Sequence, residues 1–158
     1  MRKRIISPIQ QETTTTNQDW LDMEKTLAEV EITSEDSAHP IESALLLNQT
    51  SGWRAAEPGK QTIRLIFAYP QRLRRIWLNF VETQAVRTQE YVLRWSSDGG
   101  QSFQEIVRQQ WNFSPLGATS ETEDHQVELM AVTVLELIII PEISGDHMIA
   151  SLAQMRLA

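Results

Sequence analysis

The sequence predicts an all-β fold, an eight-stranded antiparallel jelly-roll β-sandwich with one short N-terminal helix. Three observations predict it. Tyr91, Leu93 and Trp95 alternate with Val92, Arg94 and Ser96, the period of two that a half-buried strand imposes. Asp98-Gly99-Gly100 comes next, and Asp and Gly tolerate the positive φ of turns that match strand twist, so Ser97 to Gln101 should connect a hairpin. Elsewhere, short alternating or apolar runs recur to the end of the chain, and no second helical pattern lasts more than a few turns.

Residues 1–18 are polar and rich in Thr and Gln, with Pro8 breaking any regular element, and read as an arm whose apolar handles are Ile5, Ile6 and Ile9. Residues 19–158 form the expected domain. Asp19 can cap a short helix in which Trp20, Met23 and Leu27 share a face. The pattern then turns to alternation at Ala28, Val30 and Ile32, the first strand. Further strands are read at Thr62–Ala68 and Arg74–Val81, separated by a turn at Tyr69-Pro70-Gln71-Arg72. Glu90–Ser97 and Phe103–Arg108 follow, with a bulge or a change of sheet expected near Glu105-Ile106, where alternation fails. His125–Met130, Thr133–Ile140 and Ala150–Leu157 complete the set. Val134 to Ile140 is almost continuously apolar, as for a strand buried on both faces, and Pro141 ends it.

Composition narrows the function classes. The 158 residues, 41% hydrophobic, suffice for one core without staples. The absence of cysteine removes disulfides, thiolate chemistry and Cys-ligated zinc, and fits a reducing compartment. The basic MRKRIISPIQ start leads into polar residues rather than an apolar signal core, and no run reaches membrane-spanning length, so a cytoplasmic protein with no membrane partner is expected. Three of the fourteen basic residues lie in the first four positions, leaving eleven against twenty-one acids. That balance opposes nucleic acid, which needs a basic face to displace counterions. The Arg72, Arg74, Arg75 cluster reads as solvated charge at a strand entrance.

The run Val30 to Asp36, then His39-Pro40-Ile41-Glu42-Ser43-Ala44-Leu45, Gly52-Trp53-Arg54, Thr62 to Phe67, Leu73 to Leu78, Tyr91 to Phe103 and Ala150 to Leu157 resembles a discoidin, or coagulation-factor type C, domain. Such domains belong to the galactose-binding-like superfamily, with many carbohydrate-binding modules. The resemblance implies the jelly roll and a ligand held at one end. It also implies, in many relatives, a structural calcium held by a loop Asp and a Glu on the last strand. Leu46-Leu47-Asn48 and Gln154 stand in those places here, so neither a metal nor another cofactor is expected.

Strand parity places residues 35–61, 82–89, 109–124 and 141–149 at one end of the sandwich and the short turns 69–73, 98–102 and 131–132 at the other. The first end carries the expected ligand residues Trp111, Phe113, Asn112, Arg54, Arg87, His147, His39 and Trp53, with Asp146 beside them. Aromatic rings stack on pyranose faces while Arg, Asn and His bond hydroxyls, so the set suits a carbohydrate. Trp111 and Phe113 are the stacking candidates, though either can fold inward, and Trp53 in its Gly-Trp-Arg setting equally suits packing. Glu121, Glu123, Asp124 and His125 read as a solvated acidic loop rather than a metal site. No nucleophile elbow, phosphate loop or dinucleotide fingerprint occurs, which points to a binding module rather than an enzyme. A protein partner, or a homo-oligomer, is the alternative to a sugar.

Overall fold

The computed structural model describes residues 20–158; the arm expected over residues 1–18, and Asp19 as a cap, lie outside the described residues. The chain runs β1 (Ala28–Ile32), α1 (Glu42–Leu45), β2 (Trp53–Pro58), β3 (Gln61–Val81), β4 (Arg87–Ser96), β5 (Gln104–Phe113), β6 (Ser120–Ile140), β7 (Ile149–Leu152) and β8 (Gln154–Leu157). All the pairings are antiparallel.

β3 and β6 organise the fold. The turn expected at Tyr69–Arg72 does not form, and neither does the one at 131–132; each strand runs on for 21 residues. The ladder between them shifts register between Ile66 and Gln71 and again at Leu73 and Arg75. Pro70 falls inside that interruption, where its missing N–H breaks no ladder bond. The two strands bend there together, so their two halves belong to two layers. One layer is β1, Gln61–Ile66 of β3, Val134–Ile139 of β6, β4 and β5. The other is β8, Arg75–Val81 of β3 and Ser120–Gln126 of β6. The layers meet across a core in which Tyr91 and Phe80 rings lie 5.2 Å apart.

Alternation drives the packing. Ile63, Leu65 and Phe67 in one half of β3, and Ile76, Leu78 and Phe80 in the other, point inward and are buried. Each such side chain contributes roughly 1.5–3 kcal/mol by leaving water. Central Val134–Ile140 is covered on both faces for most of its length, as its composition requires.

The hairpin stands as expected, with Gly99 at φ +76° and Gly100 at φ +95°. Asp98 fastens it, accepting Ser96 Oγ and Ser102 Oγ at 2.6 Å, and these bonds hold its carboxyl well below the usual range. Leu93 pairs Val107 while Arg94 pairs Glu105, so Ile106 is the extra residue of the bulge. Val92 is buried as well as Tyr91 and Leu93, because both faces of β4 are covered there.

Three expectations need correction. The helix placed at Asp19 to Leu27 is, over the described residues, a single turn closed by Thr26 N donating to Asp22 O at 3.0 Å. Trp20 packs its ring on Trp77 of β3 instead, and the chain turns at once into β1. Among the described residues the helix is α1. Ala150–Leu157 is two strands, because the chain changes layer at Ala153, β7 pairing β2 and β8 pairing β3. Residues 35–61, read as loop, contain α1 and β2.

Candidate functional site

A strand folded back on itself does what two strands joined by a turn would do, so the long loops still gather at one end. Backbone bonds tie them together: Glu82 N donates to Thr119 O at 2.9 Å, Ile143 N to Thr88 O at 3.0 Å, and Gly59 N to Met148 O at 2.9 Å. The bends and the β4–β5 turn lie at the other end.

At the loop end a hollow of about 180 Å³ is lined by His39, Ser51, Gly52, Trp53, Arg54, Val81, Ser151, Leu152 and Ala153. Its walls come from four places in the sequence. β2 and β7 pair Arg54 with Ser151. The 36–39 turn is held by Asp36 N donating to Arg54 O at 2.8 Å and Arg54 N to His39 O at 3.1 Å. Val81 is the outward residue after inward Phe80 at the end of β3. Gly52, at φ +80°, lets the chain pass Leu152 and Ala153 so closely that a Cβ would sit 3.1 Å from their backbone atoms.

His39 Nδ1 lies 3.1 Å from Asp36 Oδ2, which orients the ring and leaves Nε2 for a ligand. The same contact, with the Ala38 N–H, lowers the Asp36 carboxyl from its ordinary value. Arg54 is exposed and makes no salt bridge among the described residues. The arrangement offers donors from Arg54, the remaining ring nitrogen of His39 and two serine hydroxyls, with Val81 as an apolar patch: the equipment to hold a small polyhydroxylated molecule.

The other expected ligand residues fare differently. Trp53 is 1% exposed and its indole N–H donates to Ser34 O at 3.2 Å, so it is a wall support. Phe113 is 1% exposed, beneath Arg87 at 4.8 Å. Arg87 is itself buried, its donors taken by Glu82 Oε1 at 2.7 Å, Gln89 Oε1 at 3.0 Å and Pro141 O at 2.8 Å. β5 continues through Trp111, Asn112 and Phe113 instead of ending before them, because Gln89, Thr88 and Arg87 of β4 give them partners. Trp111 is thus half-buried against the core, and its Nε1 is buried with no partner among the described residues. Asn112 accepts Thr88 Oγ1 at 2.6 Å. His147 is exposed, with its ring near Gly145 rather than in the hollow. Of the eight, the structure brings His39, Arg54 and the buried Trp53 together.

Val81, Ser51 and Ser151 went unread. Val81 was legible in principle, since the alternation of Ile76, Leu78 and Phe80 puts residue 81 on the opposite face at a strand end. Ser151 was not, because the β2–β7 pairing has no local signature.

The acidic run also differs from expectation: residues 121–125 are strand, not loop. Glu121 faces inward at 1% exposure, where burial, then the neighbouring Glu123 carboxyl, pushes its own carboxyl up to about 8. Arg72 and Arg75 pair with Glu128 and Asp124 along the bent strands.

The calcium region is occupied by a side chain. Arg156 of β8 donates to Ala44 O at 2.9 Å, Leu46 O at 3.2 Å and Gln49 O at 3.4 Å. A guanidinium therefore supplies the positive charge to this loop. No group of acids and histidines suited to a metal occurs among the described residues.

A larger hollow of about 330 Å³ lies between β1 and α1, lined mainly by Met23, Val30, Ile32, Ile41, Leu45 and Leu46. Glu35 there already accepts Ile41 N at 2.9 Å, so it offers little to orient a polar ligand.

No family model and no curated protein matches the sequence. Solved structures do match the fold. A family 32 carbohydrate-binding module of NanJ from C. perfringens, in complex with galactose, gives a TM-score of 0.60 at 13% identity, over 82% of this chain and 92% of that one. The CBM32-3 module of a family 31 glycoside hydrolase from Clostridium perfringens gives 0.63 at 16% identity, over 87% and 93%. A pectin-binding carbohydrate-binding module gives 0.57 at 16% identity, over 82% and 88%. The chain has the discoidin-like, galactose-binding-like jelly-roll fold.

Proposed function

We propose that the domain is a non-catalytic carbohydrate-binding module, and that one sugar residue sits in the hollow between His39, Arg54 and Ser151. The observation that carries this reading is the hollow itself: at about 180 Å³ it is of single-residue size, with a guanidinium that makes no salt bridge among the described residues, an oriented imidazole and two hydroxyls around one apolar patch. Structures of the same fold that hold galactose, an unsaturated mannuronic acid or a GalNAc-galactose disaccharide support it. Such sites work by exchanging water hydrogen bonds for protein ones, so affinity is modest and depends on a few charged donors.

A glycan array followed by titration of the hits tests this. Arg54→Ala should weaken binding by about 10- to 100-fold, the worth of a hydrogen bond to a charged group. His39→Ala should weaken it less, with melting curves unchanged in both. Absence of any glycan hit would overturn the reading.

One observation favours a protein partner instead. Leu27, Tyr69 and Met130, 61–67% exposed, gather at the bend end, a small apolar patch far from the hollow.

A further inference from the structure

Among the described residues the loop end lacks the exposed aromatic ring that would stack on a pyranose. Trp53 and Phe113 are buried, and Trp111 is half-buried with its ring packed against the core. Among the described residues the large apolar side chains exposed in the stretches of this end are Leu47, Val81, Val86, Leu116 and Ile143, aliphatic in every case, and Val81 is the one that lines the hollow, beside Ala153. Val81 is 43% exposed at the last position of β3, where it pairs with Ser120. Its methyl groups offer no π face. They match another methyl group, which gains by leaving water against them.

On the carbohydrate reading above, we infer that the hollow selects a pyranose that carries a methyl group, with Val81 as the specificity-determining residue. The polar wall of His39, Arg54, Ser51 and Ser151 holds ring hydroxyls and fixes the sugar's orientation. The methyl then lies on Val81 and Ala153. Two sugar classes present such a group: a 6-deoxyhexose, through C6, and an N-acetylated hexosamine, through its acetamide.

Two matched pairs of free sugars separate these sources: L-fucose against L-galactose, and N-acetylgalactosamine against galactose. One buried methyl is worth about fourfold in affinity, so the methyl-bearing member of at least one pair should bind about fourfold more tightly or better. A preference in the first pair assigns the C6 methyl; a preference in the second assigns the acetamide. Val81→Thr, which exchanges one methyl for a hydroxyl without changing shape, should bring the ratio in that pair close to one while its melting curve stays that of the wild type. Should Val81→Thr not fold, Ala153→Ser is titrated in its place with the same expectation. Binding without preference in either pair, or a preference that survives Val81→Thr, overturns this inference and leaves the sugar-binding reading standing. Failure of all four sugars and of the glycan array overturns both.

Discussion

Tyr91 of β4 and His125 of β6 meet across the two layers, phenol oxygen to imidazole Nε2 at 2.7 Å. The contact lies in a polar seam through an otherwise apolar core. Gln89 Nε2 reaches Glu121 Oε1 at 3.5 Å, Arg87 donates to Gln89 and to Glu82, and Glu123 lies beside Glu121. Burial, then the Glu123 and Glu121 charges, raise the Tyr91 phenol far above its usual value, so it stays protonated and able to donate. Burial lowers the His125 imidazole, which keeps it neutral and able to accept. The seam thus fixes how β4 sits against β6 by protonation states that suit one another.

A pH dependence of stability follows. The Glu121 carboxyl, raised from 4.5 to about 8, holds in the folded state a proton that the unfolded chain releases above 4.5. Its contribution is full below that value and falls as pH rises toward 8. His125 acts oppositely: its lowered imidazole contributes stability present above the unfolded value of 6.5 and lost below it. Between pH 6.5 and 8 Glu121 acts alone. Urea unfolding should therefore show stability falling over that window by on the order of 1–3 kcal/mol, and Glu121→Gln should flatten the fall. A rising or flat wild-type profile from 6.5 to 8 would contradict it.

Arg156 makes a second prediction. Its guanidinium serves carbonyls of Ala44, Leu46 and Gln49, in the loop where the discoidin resemblance would put a calcium. Melting temperatures in chelator and in millimolar calcium should coincide, since an ion bound to the folded state would raise them by mass action. Arg156→Met should cost about 2–4 kcal/mol, because two or more buried carbonyls lose a charged donor. Calcium sensitivity of the wild type would sink the first half, and a neutral Arg156→Met the second.

What the sequence showed of the fold was what local chemistry dictates: alternation in β3, β4 and β6, the Asp98-Gly99-Gly100 turn, the bulge at Ile106 and the stop at Pro141. The bends were read as turns because Tyr69-Pro70-Gln71 has turn composition, and only pairing with Gln71–Val132 and Leu73–Leu129 shows the chain continuing. The candidate site was half legible. His39 and Arg54 came from loop parity, which survives the bends. The aromatic choices failed because Trp111 and Phe113 look exposed by their polar neighbours, whereas β4 gives them strand partners and the core takes their rings. Burial at a strand end depends on the opposite layer, which no local pattern records.

Two glycines separate backbone strain from crowding. A Cβ at Gly99, where φ is +76°, would meet nothing within 4 Å, while one at Gly52, where φ is +80°, would meet Ala153 Cα and Leu152 O at 3.1 Å. The conformational cost of Ala is similar at both, about 1–2 kcal/mol. Gly99→Ala should therefore lose only that amount. Gly52→Ala should lose more, by about 1–3 kcal/mol of overpacking, and should weaken sugar binding by moving Ser151 and Arg54. Equal losses in chemical denaturation would show that the 51–53 segment yields freely.

Glu136 carries the last prediction. It stands at 1% exposure on the outward side of central β6 and accepts Arg64 Nε at 2.9 Å and Nη2 at 2.6 Å, and Arg94 Nε at 2.8 Å. Arg64 also reaches Glu31 at 3.1 Å, so alternating charges cross β1, β3, β6 and β4 in register. The carboxylate is the buried member; the arginine side chains are 37% and 36% exposed and can turn to water. Glu136→Gln keeps the size but leaves an amide N–H₂ facing two cations, and removing one partner of a buried ion pair costs about 3–5 kcal/mol. Glu136→Leu releases both arginines to solvent and joins the apolar Val134 and Ile138 on the same face, so its cost should be smaller, by at least about 1 kcal/mol. Denaturant midpoints of the two variants decide it: if Glu136→Leu proves the more damaging, the arginines are held by the sheet rather than by Glu136, and the ladder is a source of stability in its own right.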